Sequence, residues 1–223
     1  ILNKTIKNLN NSNVAGLPTE TVYGLGGNAY SKISIQRIYK LKERPSSNPL
    51  IIHYHNFKDA LNDIEINENF IKLYKFFCPG PITFVLKKKY NSKIHPLASA
   101  KLNTVAVRFP KHKVIRTILK KIDFPLAMPS ANKSTNVSPV KAEDVFDEFK
   151  KKIQLIIDGG KCKIGIESTV IDLTGFPKIL RPGIIDKNLI EKILKKKIKN
   201  KIKDKKTKSP GMMKKHYSPG IPV

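Results

Sequence analysis

The chain has 223 residues, a hydrophobic share of 40% and a formal net charge of +26. That length sits near the top of the single-domain range, and the apolar share supplies one sizeable core. The longest apolar runs, at 153–157 and 105–107, fall far short of the roughly 20 residues a membrane span needs, and Cys78 with Cys162 makes neither a zinc knuckle nor a disulfide framework.

Residues 5–17 read as an amphipathic helix, with Ile6 and Leu9, passing through Asn13 into a short strand at 14–17. PTETVYGLGG at 18–27 is broken by Pro18 and three glycines and predicts a loop or turn. Ile35, Ile38 and Leu41 share one face of a helix at 34–41. The RPSSNP run at 44–49 stops that helix, because its two prolines remove donors and extend the residues before them. A buried-type strand follows at 50–54, a helix at 67–77 halted by Pro79-Gly80-Pro81, and strands at 82–87 and 104–109. A helix at 113–121 precedes a short strand at 126–128 and a polar loop at 129–139. The next helix, at 142–151, is expected to open near Ser138 as its cap. Strands at 155–158, 168–173 and 178–180 lead to a last helix at 186–195 capped by Asp186. Strands and helices alternating without repeats predict an α/β protein with a mixed sheet.

Residues 187–215 hold 13 lysines against Glu191 and Asp204, a net +11, which leaves about +15 on residues 1–186. Such a balance steers polyanions toward the surface, although a general lysine bias accounts for much of it. With 38 lysines present, the five arginines mark places where a planar, bidentate donor is needed. Arg44, Arg108 and Arg181 flank proline-containing loops after a helix or strand, where open α/β sheets bind ligands. Around them stand Thr19, Thr21, Lys42, Asn48, Ser130, Asn132, Ser138 and Ser168. Cations and hydroxyls with no nucleophile elbow, no paired carboxylates in one loop and no Walker lysine suit phosphate-ester chemistry run by positioning and charge. His53 and His55 share a strand face without a third ligand nearby, a weak metal signal.

PTETVYGLG at 18–26, KERPSSNPLIIH at 42–53, PGPITFVL at 79–86 and TVAVRFP at 104–110 resemble the YrdC-type threonylcarbamoyl-adenylate synthase family. PSAN at 129–132, DGG at 158–160, GIESTV at 165–170 and LRPG at 180–183 extend the resemblance, in family order, over nearly all of residues 1–190. It implies an open α/β fold whose twisted mixed sheet, flanked by helices, lines a concave basic cavity. It also implies synthesis of threonylcarbamoyl-AMP from L-threonine, bicarbonate or CO2 and ATP, with release of pyrophosphate. By matching position, Thr21, His53, Arg108 and Ser168 would hold threonine. Arg44, Asn48, Thr104, Ser130, Asn132, Ser138 and Arg181 would surround ATP, with Lys42, Arg44 and Ser130 at the chemistry and Mg2+ brought by the nucleotide. The partners implied are a downstream tRNA-modifying transferase complex and, through the basic surface, weak tRNA or double-stranded RNA contact. The expected compartment is the cytoplasm.

SPGM and HYSP at 209–219 resemble the linker of the family's long form, so 1–195 reads as the catalytic domain and 196–223 as a Lys-rich linker that stops where a second domain would begin. Lys214 stands where that linker often carries an aromatic residue, which leaves Tyr217 for any nucleotide contact. The segment reads as a lid over the cavity, with a tether as the alternative. Two rival readings are an RNA-gripping module, poorly served by an aromatic share of 8%, and a hydrogenase-maturation type of carbamoyltransferase.

Overall fold

A computed structural model describes residues 1–198. The predicted calls on 199–223, including Tyr217 and the lid, lie outside the described residues. In chain order the elements are α1 (Leu2–Asn10), β1 (Ala15–Leu17), β2 (Gly24–Asn28), α2 (Lys32–Lys42), β3 (Ile51–His53), α3 (Phe57–Ala60), α4 (Glu68–Phe77) and β4 (Ile82–Lys87). There follow β5 (Thr104–Arg108), α5 (Lys113–Lys121), β6 (Leu126–Ala127), α6 (Ala142–Phe149), a 3-10 turn (Lys150–Lys152), β7 (Thr169–Asp172), β8 (Lys178–Arg181) and α7 (Lys187–Leu194). Among the described residues, no helix is long and apolar enough to cross a membrane.

The eight strands form one sheet in the order β1-β2-β6-β3-β5-β4-β7-β8. β3 runs parallel to β5 and β4 parallel to β7, while the remaining neighbours are antiparallel, so the sheet is mixed as the alternation predicts. Period-2 alternation assigns the faces. Ile52, Ile82, Phe84, Leu86, Val105, Val107 and Ile171 enter the main core with Ile35, Ile38, Phe70 and Leu73 from α2 and α4. Ile51, Val85, Ala106, Val170 and Leu180 form a smaller apolar cluster on the other face. His53, Thr83 and Arg108 fall on that second face, at one end of the strands.

Three expectations are corrected. Gly24–Asn28 is a strand, not a loop, and its glycines serve close packing: a Cβ at Gly24 would lie 2.5 Å from Met128 Cγ. Ser138 does not cap α6. The helix starts four residues later, where Asp144 accepts from the Lys141 and Val140 N–H groups, and the Ser138 hydroxyl donates to Glu167 Oε1 at 2.9 Å instead. Residues 155–158 form no strand. Ile156 makes a single bridge to Gly16, flanked by backbone bonds of 2.9 Å from Gly16 to Leu155 and from Ile157 to Gly16, too few to extend a ladder. The short helix α3, opened by the Asn56–Asp59 capping box, lies within a stretch that carries no helical period.

Candidate active site

The carboxyl ends of the parallel strands β3 and β5 open into a cavity of about 450 Å³, counting its mouth. Arg44, His53, Arg108, Ser130, Ser168 and Arg181 line it, together with Thr19, Met128 and Glu167. Three of the five arginines therefore converge here, from the loop after α2, the end of β5 and the end of β8.

The Arg44 guanidinium is fixed by neutral oxygens, donating to the Asn48 carbonyl at 3.0 Å, the Asn48 side-chain oxygen at 2.5 Å and the Pro49 carbonyl at 2.9 Å. Burial pulls it down to about 10, which still leaves it charged near neutral pH. Arg108 donates from Nη2 to Glu20 Oε1 at 2.7 Å and to Thr21 Oγ1 at 2.8 Å, while its buried Nε has no partner. Arg181 pairs with Glu167 and donates to the Ser168 carbonyl at 3.0 Å and hydroxyl at 3.1 Å. The Ser168 hydroxyl also meets Thr83 Oγ1 at 2.7 Å, which ties β7 to β4 at the cavity edge. Burial, then the nearby Arg108, depresses His53 to about 3, so its imidazole is neutral at ordinary pH.

Lys42 stands behind the wall. It is buried, and Nζ donates to the carbonyls of Ser130, at 2.6 Å, and Asn132. Burial first, and the charge of Arg44 second, bring its amine down to about 7. Asn132 donates to the carbonyls of Lys133 at 2.8 Å and Asn136 at 2.7 Å, and its buried Oδ1 has no partner. Thr21, Asn48 and Ser138 likewise act through others, on Arg108, Arg44 and Glu167. Thr104 is the member that the structure does not bring in. It opens β5 opposite Lys87, about 13 Å along the strand from Arg108. His55 lies beyond the end of β3, is not among the residues lining this cavity, and meets Arg116 Nη2 at 3.2 Å through Nε2, so the two histidines do not share a strand.

The sequence reading missed Glu20 and Glu167, both buried carboxylates inside quoted motifs. The available signal was scarcity: with 17 acidic residues in the chain, a glutamate beside hydroxyls and glycines invites a search for an arginine partner. Burial pushes the Glu20 carboxyl up, but Arg108 and backbone N–H groups outweigh it and hold the group below its usual range.

Fold and site together define a mixed α/β protein with a cationic cavity at its strand ends, suited to carboxylate and phosphate ligands. The family model described as telomere recombination, spanning Sua5, YciO and YrdC, matches residues 7–183, and the chain belongs to that family. A second model, threonylcarbamoyl-AMP synthase, C-terminal domain, matches residues 185–223. The threonylcarbamoyl-AMP synthase of Pyrococcus abyssi is 42% identical over 217 residues, which cover 94% of this chain and 63% of that protein. The synthase of Bacillus subtilis is 39% identical over 221 residues, covering 96% and 63%. Sua5 of P. abyssi complexed with L-threonine superposes with a TM-score of 0.91 at 39% identity, over 98% of this chain and 65% of that one. The chain thus spans less than two thirds of the length of these relatives.

Proposed function

We propose that this chain carries the synthesis of threonylcarbamoyl-AMP from L-threonine, bicarbonate or CO2 and ATP. The observation that carries the reading is the convergence of Arg44, Arg108 and Arg181 on one cavity whose neutral His53 and hydroxyls offer room for an uncharged amine. Threonine lies at the Thr21, His53, Arg108 and Ser168 end, its carboxylate against Arg108. ATP, with its Mg2+, lies toward Arg44, Ser130 and Arg181, supported from behind by Lys42, Asn48, Asn132 and Ser138. The threonine nitrogen forms a bond to the carbon of CO2 and loses a proton, giving a carbamate. A carbamate oxygen then bonds to the α-phosphorus, the bond to the β-phosphate oxygen breaks, and pyrophosphate leaves with the electron pair. Arg44 meets the charge that grows on the leaving group, and Arg181 assists from β8.

Residues 1–195 form the catalytic unit in this reading, and 196–223 the linker. The product passes to a transferase complex that modifies tRNA, which places the protein in the cytoplasm. The deciding experiment measures pyrophosphate release with each substrate left out in turn. Release that requires both threonine and bicarbonate supports the reading, and release independent of threonine refutes it.

A further inference from the structure

The three cavity arginines differ in their counter-charge. Arg44 is held by neutral oxygens, whereas Arg108 is matched by Glu20 and Arg181 by Glu167. Glu20 is also the more deeply anchored of the two groups in its pair. Its Oε1 accepts from Arg108 Nη2 at 2.7 Å, and its Oε2 accepts from the backbone N–H of Lys111 at 2.9 Å and of His112 at 3.4 Å, at the start of α5. With Thr21 at 2.8 Å as a second acceptor, Nη2 is saturated from within the protein. Nε is buried and has no partner within the protein.

We propose that Glu20 is a positioning and specificity-determining residue, which cancels the charge of Arg108 and locks its guanidinium. This end of the cavity thereby takes the carboxylate of a zwitterionic amino acid and refuses polyphosphate. The proposal rests on the threonine reading above. A zwitterion carries no net charge and loses little when the cation it meets is already neutralised. A polyphosphate carries several negative charges and is repelled by the glutamate behind the arginine. Arg44 hydrogen-bonds only neutral oxygens and shares the charge of Glu167 with Arg181, so it keeps more of its attraction for phosphate than Arg108 does. Glu20 so sorts a carboxylate-bearing zwitterion from a polyphosphate in one shared cavity.

The test is calorimetric binding of L-threonine, with and without inorganic pyrophosphate, to the intact protein and to Glu20→Gln and Glu20→Asp. In the unaltered protein, pyrophosphate is expected to shift the threonine Kd by less than about threefold. In Glu20→Gln it should become a competitor and weaken threonine by about tenfold or more, since removing one negative charge favours the polyanion. Glu20→Asp keeps the charge but withdraws the carboxylate, so threonine weakens severalfold without pyrophosphate becoming a competitor. Unchanged threonine binding in Glu20→Gln with no gain of competition overturns this inference alone. So does competition of equal strength in both variants, or an equal loss of both ligands with a lowered Tm, which marks a purely structural role. Absence of threonine binding by the unaltered protein overturns the functional reading, and this inference with it.

Discussion

At the scale of single residues, the site rests on donors whose geometry matters more than their charge. Arg108 offers Nη2 to Glu20 and Thr21 at once from a planar fork, an arrangement that a lysine ammonium cannot reproduce. Arg108→Lys should retain the fold and weaken threonine by about 1.5–3 kcal/mol, the worth of a charge-assisted contact, with ATP affected less. Titration of each substrate against the variant checks this, and an unchanged threonine dependence removes Arg108 from the substrate end. Lys42 makes a pH prediction. Its folded amine titrates near 7, below the ordinary value of 10.5. Between those limits the unfolded chain holds a proton that the folded chain has released, so stability rises with pH across that window and the burial penalty is full below it. Lys42→Met abolishes this slope and strips the Ser130 and Asn132 carbonyls of their donor, at about 1–3 kcal/mol. Denaturant midpoints should therefore show the wild-type advantage widening from about pH 6 to about pH 9. A constant gap would mean that Lys42 stays charged throughout.

At the scale of elements, the cavity exists because strand ends and turns approach one another closely. LRPG turns the chain out of β8, and a Cβ on Gly183 would lie 2.4 Å from the Thr169 backbone nitrogen and 2.8 Å from the Glu167 carbonyl oxygen. Backbone cannot rotate aside as a side chain can. Gly183→Ala should push the segment carrying Glu167 and Ser168 away from Arg181, lowering stability by about 1–3 kcal/mol and weakening both substrates together. Gly24 is the useful contrast, since its close neighbour is the flexible side chain of Met128, and Gly24→Ala should cost less. Thermal denaturation of the two variants ranks them, and an equal loss would contradict the distinction. The elements themselves follow local rules. Asn67 and Asp186 cap α4 and α7 through hydrogen bonds to Phe70 N–H and Asn188 N–H, at 3.0 Å and 2.6 Å.

At the scale of the whole molecule, a net charge of +26 surrounds a cavity whose arginines are mostly buried or paired. Buried contacts are screened weakly and surface lysines strongly. ATP affinity should therefore fall only shallowly with salt, whereas any tRNA binding should fall steeply, with a slope set by the number of phosphates neutralised. Titrations at several ionic strengths compare the slopes, and equal ones would mean that the general basic field holds the nucleotide. Much of this architecture was legible beforehand. Strand β4 and helix α5 lie where alternation and helical spacing place them, and Arg44, Arg108 and Arg181 stood out against a lysine-rich background. Hydrophobic period, prolines and caps are local properties, so the chain by itself determined most of the helices and strands, the mixed α/β class and the arginines that meet at the cavity. Only the tertiary structure decided that glycine-rich residues 24–28 form a strand, that Ser138 serves Glu167 and not a helix, and that Glu20 meets Arg108 across 88 positions. Each of those depends on a partner remote in sequence, and a charge or a close approach acquires its meaning only when folding brings that partner within hydrogen-bond reach.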